Sequence, residues 1–282
     1  MQLKKLFFSG LLSLSLTGAS PAPMRVVIDD DVLIFRDAFA ASDVAKVESM
    51  LAELRKAGKP LPRDGDGKTL LHYAVQVYSS ERLRFVRMLL KAGVDVNALA
   101  AEALTPLHFA ARFDCPPCAR ELIAAGAKVN PPDSRGWTPI FEASRELLPI
   151  LIAAGAEINL RDPEGNVPLH RNPKPEFLAA GIDVNVRNHA GLTPLHFAAL
   201  AGNNSSIEML VSHGANLSAR TMETTWYRSS IVSAAFGKGE EIPKGSTALD
   251  LAKLQHSRTR WNTSHYKPVV ELLEKLQREA RR

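Results

Sequence analysis

The 282-residue chain holds only two cysteines, Cys115 and Cys118. Any disulfide within the chain is therefore a single local one. Beyond the N-terminal region, no run approaches the roughly 20 apolar residues that a membrane helix needs. Nor is there a marked excess of one charge. The 35 Lys and Arg face 30 Asp and Glu, a formal +5, which is too slight a bias to argue for nucleic acid. Basic residues are densest from Arg258 to Arg282, where a last helix is predicted and where cations suit the dipole. No segment assembles a nucleophile, a base and an oxyanion site. The stretch "GKGEEIPKGST" has the wrong Gly and Lys offsets for a phosphate loop. No catalytic residue, metal site or cofactor is expected.

What the N-terminus does have is "MQLKKLFFSGLLSLSLTGASPAP". Two lysines precede an apolar run from Leu6 to Leu16, and small residues follow. That is the layout of a secretory signal peptide. Residues 1–19 are the expected leader and Ser20 the expected first mature residue. Localisation would then be periplasmic or secreted, with no membrane span once the leader is removed. Residues 20–36 read as a lead-in, whose "IDDD" run caps a first helix.

The octapeptide "LTPLHFAA" occurs at residues 104–111 and again at 192–199. "KTLLHYAV", "WTPIFEAS", "NVPLHRNP" and "STALDLAK" are degenerate copies. A second phrase runs in phase with it: "AGVDVN", "AGAKVN", "AGAEIN", "AGIDVN" and "HGANLS". Its glycines are Gly93, Gly126, Gly155, Gly181 and Gly214. The first and last intervals are equal, and the two between are shorter. Thr105, Thr138 and Thr193 suit a helix N-cap, and Pro106, Pro139 and Pro194 suit the first helical turn. The glycines suit the left-handed end of a second helix. "DGDG", "DSRG", "DPEG" and "NHAG" read as turns between units; "AAEA" departs from that pattern.

Two phased motifs of this kind resemble the ankyrin repeat, whose unit of about 33 residues carries a T-P-L-H-x-A signature. The resemblance runs from about Asp37 to Leu276. It implies an all-α fold, a solenoid of about seven stacked helix pairs with hairpin-like loops. The repeat domain would span residues 37–282, with an N-terminal cap at 37–66, an insertion at 221–244 and a C-terminal cap at 245–282. His72, His108, His170 and His196 hold one frame position and resemble the structural histidine of the family, not a metal site. The Thr138 unit is shortened between its helices. Pro173 and Pro175 leave the Val167 unit scarcely one turn for each helix, so the stack is expected to bend or gape there.

Cys115 and Cys118 fall at the start of a second helix. Three readings stand together: a local disulfide in an oxidising compartment, a redox-active pair at a helix N-terminus, or two plain buried residues. No βαβ setting for a thioredoxin-like domain surrounds them.

The resemblance implies a protein partner of unknown identity, held on a concave face of hairpin tips and inner-helix ends. The positions that vary between such units hold Tyr78, Arg112, Phe113, Arg135, Trp137, His189, Leu192 and Leu200. Trp226 and Tyr227 of the insertion are expected to border them. The alternative is that these side chains only pack on adjacent tips. Binding that neutralises or assists another exported enzyme is one role. A secreted effector that binds host proteins is another, and a redox protein dependent on the "CPPC" pair is a third.

Overall fold

The computed structural model describes residues 30–227, 240–258 and 263–282. The expected leader and the first part of the lead-in lie outside the described residues. Helices come in pairs: α1 (Asp30–Ala40) with α2 (Val44–Lys56), α3 (Leu70–Gln76) with α4 (Arg82–Lys91), and α5 (Pro106–Arg112) with α6 (Pro116–Ala124). A 3-10 turn at Pro139–Glu142 then pairs with α7 (Leu148–Ala153). The last pairs are α8 (Pro168–Arg171) with α9 (Pro175–Ala179), α10 (Pro194–Leu200) with α11 (Asn204–Ser212), and α12 (Ala248–Arg258) with α13 (Thr263–Glu279). Between the last two pairs, β1 (Thr225–Tyr227) and β2 (Glu240–Ile242) form an antiparallel hairpin. Among the described residues no helix is long and apolar enough to cross a membrane.

The first members of the pairs stack in sequence order as an inner row. One apolar core runs the length of the stack, from Phe35 in α1 to Leu273 in α13. The lead-in is shorter than expected. Helix α1 already includes Asp30, and Val32 and Phe35 are buried. Those two apolar residues cover the open end of the core, which is why the helix extends back to them. The shortened units are as cramped as their prolines require. In the Val167 unit α8 and α9 are each little more than one turn, yet α9 still delivers a fully buried Phe177.

Four of the hairpin tips are Asx turns. The Oδ1 atoms of Asp64, Asp133, Asp162 and Asn188 each accept two backbone N–H groups, such as those of Arg135 and Trp137 at 2.8 and 2.9 Å. The fourth tip residue is Gly67, Gly136, Gly165 or Gly191, always at positive φ. The "AAEA" tip has neither device. Ala100 offers no side-chain acceptor, and Glu102 and Ala103 take φ of 60° and 57°. A left-handed residue with a Cβ costs roughly 1–2 kcal/mol.

Three hydrogen bonds recur between successive units. In the first, a buried histidine links its own helix start to the next hairpin. The backbone N–H groups of Thr69, Thr105, Val167 and Thr193 donate to Nδ1 of His72, His108, His170 and His196. The opposite Nε2–H donates to the carbonyl oxygen of Leu104, Trp137, Leu192 or Ser246 at 3.0–3.2 Å. In the second, a tip N–H donates to the preceding tip: Ala101 to Asp66, Ser134 to Glu102, His189 to Glu164 and Met222 to Ala190. In the third, an asparagine clamps the next unit's helix end. Asn97, Asn130 and Asn185 donate to the carbonyls of Gly126, Gly155 and Gly214, and accept the N–H groups of Lys128, Glu157 and Asn216.

Among the described residues all three are missing at one junction between repeats, that of the Thr138 and Val167 units, as they are next to the N-terminal cap. Phe141 stands where histidine stands elsewhere. Pro163 has no N–H to give to the preceding tip. Asn159 makes no clamp onto Gly181. Side chains hold this joint instead. Trp137 Nε1–H donates to Asp162 Oδ2 at 3.2 Å, Asn172 donates to the Ala143 carbonyl at 2.9 Å, and Lys174 donates to that same carbonyl. Arg145 pairs with Glu176 at 2.7 Å.

Burial lowers all four histidines. His72, His170 and His196 are pushed down from 6.5 to about 4 by loss of hydration, and His108 is lowered for the same reason. The fold therefore holds neutral rings, and the unfolded chain binds more protons between these two values. Their contribution is fully present above pH 6.5 and is lost progressively as pH falls towards 4. Urea unfolding should show stability declining over that window, with the NMR signals of His72, His170 and His196 titrating near 4, and that of His108 below its ordinary value, while the chain stays folded. Rings that titrate at 6.5 in the native state would contradict this. Stack stability is a sum of unit and junction terms. Amide hydrogen exchange should accordingly be faster at residues 160–181 than in the Thr105 and Thr193 units. Equal protection throughout would refute the weak joint.

Candidate functional site

The inner row ends and the hairpin tips carry most of the expected face. Tyr78, in the loop after α3, is 81 % exposed. Phe113, just past α5, meets it edge-on with ring centroids 6.3 Å apart, and the Arg82 guanidinium lies 5.1 Å from the Tyr78 ring. Arg82 also donates to the Phe113 carbonyl at 3.1 Å. These contacts hold the exposed aromatic pair in one place.

Next along the row is a charged cluster. Arg112 grips Glu142 with two bonds, Nε to Oε2 at 2.9 Å and Nη2 to Oε1 at 3.1 Å. Arg135 bonds Asp133 at 2.6 Å, approaches Glu142 at 3.4 Å, and stacks 4.0 Å from the centre of the Trp137 ring. Trp137 in turn stacks on Phe141 with ring planes 5° apart. With its bond to Asp162, Trp137 is half-buried and part of the weak joint. Its truncation would therefore disturb the stack, in line with the alternative that this side chain packs on adjacent tips.

Two expected face residues are not on it. Leu192 and Leu200 are only 3 % and 2 % exposed. They pack with Phe197, Leu251 and Ile242 in a second apolar cluster. Ile242 comes from β2 of the insertion, so the hairpin covers leucines that an uninterrupted repeat would show. Trp226 and Tyr227 lie on β1, opposite Glu241 and Glu240. Their side chains lie outside the described residues, as do residues 228–239 of the insertion. His189 is exposed and lies over Gly165, where an added Cβ would come within 2.5 Å of its ring.

Arg171 lies beside the expected face, at a position that the variable positions did not point to. It occupies the position directly after the frame histidine. Tyr73, Phe109 and Phe197 hold that place in other units. Its guanidinium lies 5.2 Å from the Trp137 ring centre and 5.4 Å from that of Phe197. Beside it, a cleft of roughly 240 Å³ opens between the Asp162 and Asn188 tips and the insertion hairpin.

Cys115 is the N-cap of α6, where Asp43 and Asn203 cap α2 and α11. Its sulfur accepts the N–H of Cys118 at 3.3 Å. The Cα atoms of the two residues are 5.2 Å apart, and their sulfurs stand at bonding distance.

Residues 77–162 match a family model described as ankyrin repeats (3 copies), and residues 190–222 match one described as ankyrin repeat. Human neurogenic locus notch homolog protein 4 is 48 % identical over 52 residues, which is 17 % of this chain and 3 % of that protein. Ankyrin repeat domain-containing protein 13B of mouse is 39 % identical over 79 residues, 28 % of this chain and 12 % of that protein. The chain thus matches only a small part of the length of these relatives. Among solved structures, the ankyrin repeat domain of Bcl-3 superposes with a TM-score of 0.55 at 24 % identity, covering 67 % of this chain and 89 % of that one. The human ASB11 ankyrin repeat domain gives 0.59, also at 24 % identity, covering 77 % and 90 %. Likeness at that identity speaks for the fold alone. Together with the family-model matches, the histidine bridges, the Asx tips and the paired helices, it shows that the chain contains ankyrin repeats, at residues 77–162 and 190–222, in a solenoid of that fold.

Proposed function

We propose that this chain is an exported protein-binding module that holds its partner on the concave face from Tyr78 to the insertion hairpin. Ankyrin repeats are in general protein-interaction modules. The observation that carries the reading here is the row of aromatic and arginine side chains along the inner helix ends. Tyr, Trp and Arg dominate interface hot spots, and Tyr78 stands exposed with no fold-level need to be so. The partner is another exported protein. An exported enzyme that the module neutralises or assists suits this reading.

Arg112→Ala and Tyr78→Ala should each weaken binding of the partner recovered from the native source by about 1–3 kcal/mol. Unfolding should change little, because the Arg112 pair is partly exposed and such pairs contribute about 0–1 kcal/mol. Unchanged affinity in both variants would sink the concave face as the binding surface.

Export and the cysteine pair belong together. The leader-like N-terminus delivers the chain to an oxidising compartment, and a Cys115–Cys118 bond replaces the ordinary Asp or Asn cap of α6. Closing so small a loop contributes roughly 2 kcal/mol in the chain-entropy model. Intact mass of the protein from its native host should place the first residue near Ser20 and show both thiols oxidised. A retained leader or two free thiols would overturn this part of the reading.

A further inference from the structure

Arg171 is unlike its neighbours. Arg112, Arg135 and Arg145 each bond a carboxylate. Among the described residues Arg171 has no ion pair, and its Nε is buried without a hydrogen-bond partner. A buried donor left unpaired is costly, more so when it is charged. The Trp137 and Phe197 rings keep the guanidinium beside the cleft, and cation–π contact satisfies the charge but not the N–H groups. The cleft's own acids, Glu164 and Glu223, line it without bonding Arg171.

We propose that the cleft between the Asp162 and Asn188 tips and the insertion hairpin receives an Asp or Glu side chain of the bound protein, with Arg171 as its partner. This rests on the protein-binding reading of the concave face and adds the chemistry of one contact. A carboxylate accepts two parallel N–H bonds from one guanidinium. It would supply the acceptor that the free chain lacks. Glu223 sets a counter-charge nearby, which weakens acidic guests and is removable.

The test uses the full chain labelled with ¹⁵N, with N-acetyl-aspartate N-methylamide as the stand-in for the partner's side chain. Arg171→Gln identifies the Arg171 Nε–H signal. That signal should shift and saturate with the aspartate compound, and the asparagine analogue should bind about tenfold more weakly. Glu223→Gln should bind the aspartate compound more tightly. An Arg171 signal that does not move, or that moves equally with the asparagine analogue, overturns the proposal. Inorganic phosphate bound more tightly than the carboxylate overturns it as well, in favour of a phosphorylated guest. These outcomes are independent of how Arg112→Ala and Tyr78→Ala affect the partner. Loss of the Arg171 site would leave the wider face standing, and failure of the wider face would show in those two variants.

Discussion

A neutral histidine, held between the start of its own helix and a carbonyl one unit away, is the constraint on which this stack depends. Each ring accepts from a backbone N–H that a helix start leaves orphaned. Each donates to a hairpin carbonyl that already accepts one backbone N–H across its own turn, and so fills that oxygen's second lone pair. One side chain thereby satisfies two units and fixes their spacing. The arrangement works only for the neutral ring with its proton on Nε2, and burial enforces that form. The Thr at the N-cap and the Pro after it bring the ring to the right height, so the repeated octapeptide amounts to a single bonding device.

The face is built on that scaffold by what the bonding device leaves free. Positions after the histidine point along the inner row and need not be uniform. Here they hold Tyr73, Phe109, Glu142, Arg171 and Phe197 in turn, and the Phe197 ring serves as a platform for Arg171. The insertion adds a second layer at one end. By laying Ile242 over Leu192 and Leu200, it moves the boundary of the accessible face towards the middle of the stack, where Arg171 and Trp137 stand.

Much of this was legible beforehand, for reasons tied to particular residues. The Thr-Pro-Leu-His phase, the glycines after each second helix and the prolines at 173 and 175 act locally. Their effects can therefore be read without knowing what lies across the fold. The burial of Leu192 and Leu200 was not legible, because it depends on a contact from Ile242, some 40–50 residues later and outside the repeat frame. The early start of α1 escaped because three aspartates read as a solvated lead-in, while Val32 and Phe35 just beyond them cover the core. Arg171 did leave a signal: it is a charged residue where three other units hold an aromatic ring. The weak joint was written at Phe141, Pro163 and Asn159. Its meaning appears only once the three recurring bonds are known.

A linear array in which each unit touches only its neighbours is as cooperative as its least coupled junction. Within the repeats the coupling drops once, near the middle. Such a chain behaves less like one cooperative body than like two segments joined by a soft contact. A perturbation in the N-terminal segment would be damped before it reaches the α10–α13 segment, and the reverse holds too. Trp137 and Arg171 lie at that contact, with Arg171 on one side and Trp137 on the other. The cleft beside Arg171 lies wholly on the C-terminal side of that contact, so a guest seated there would load one segment and leave the other as it was.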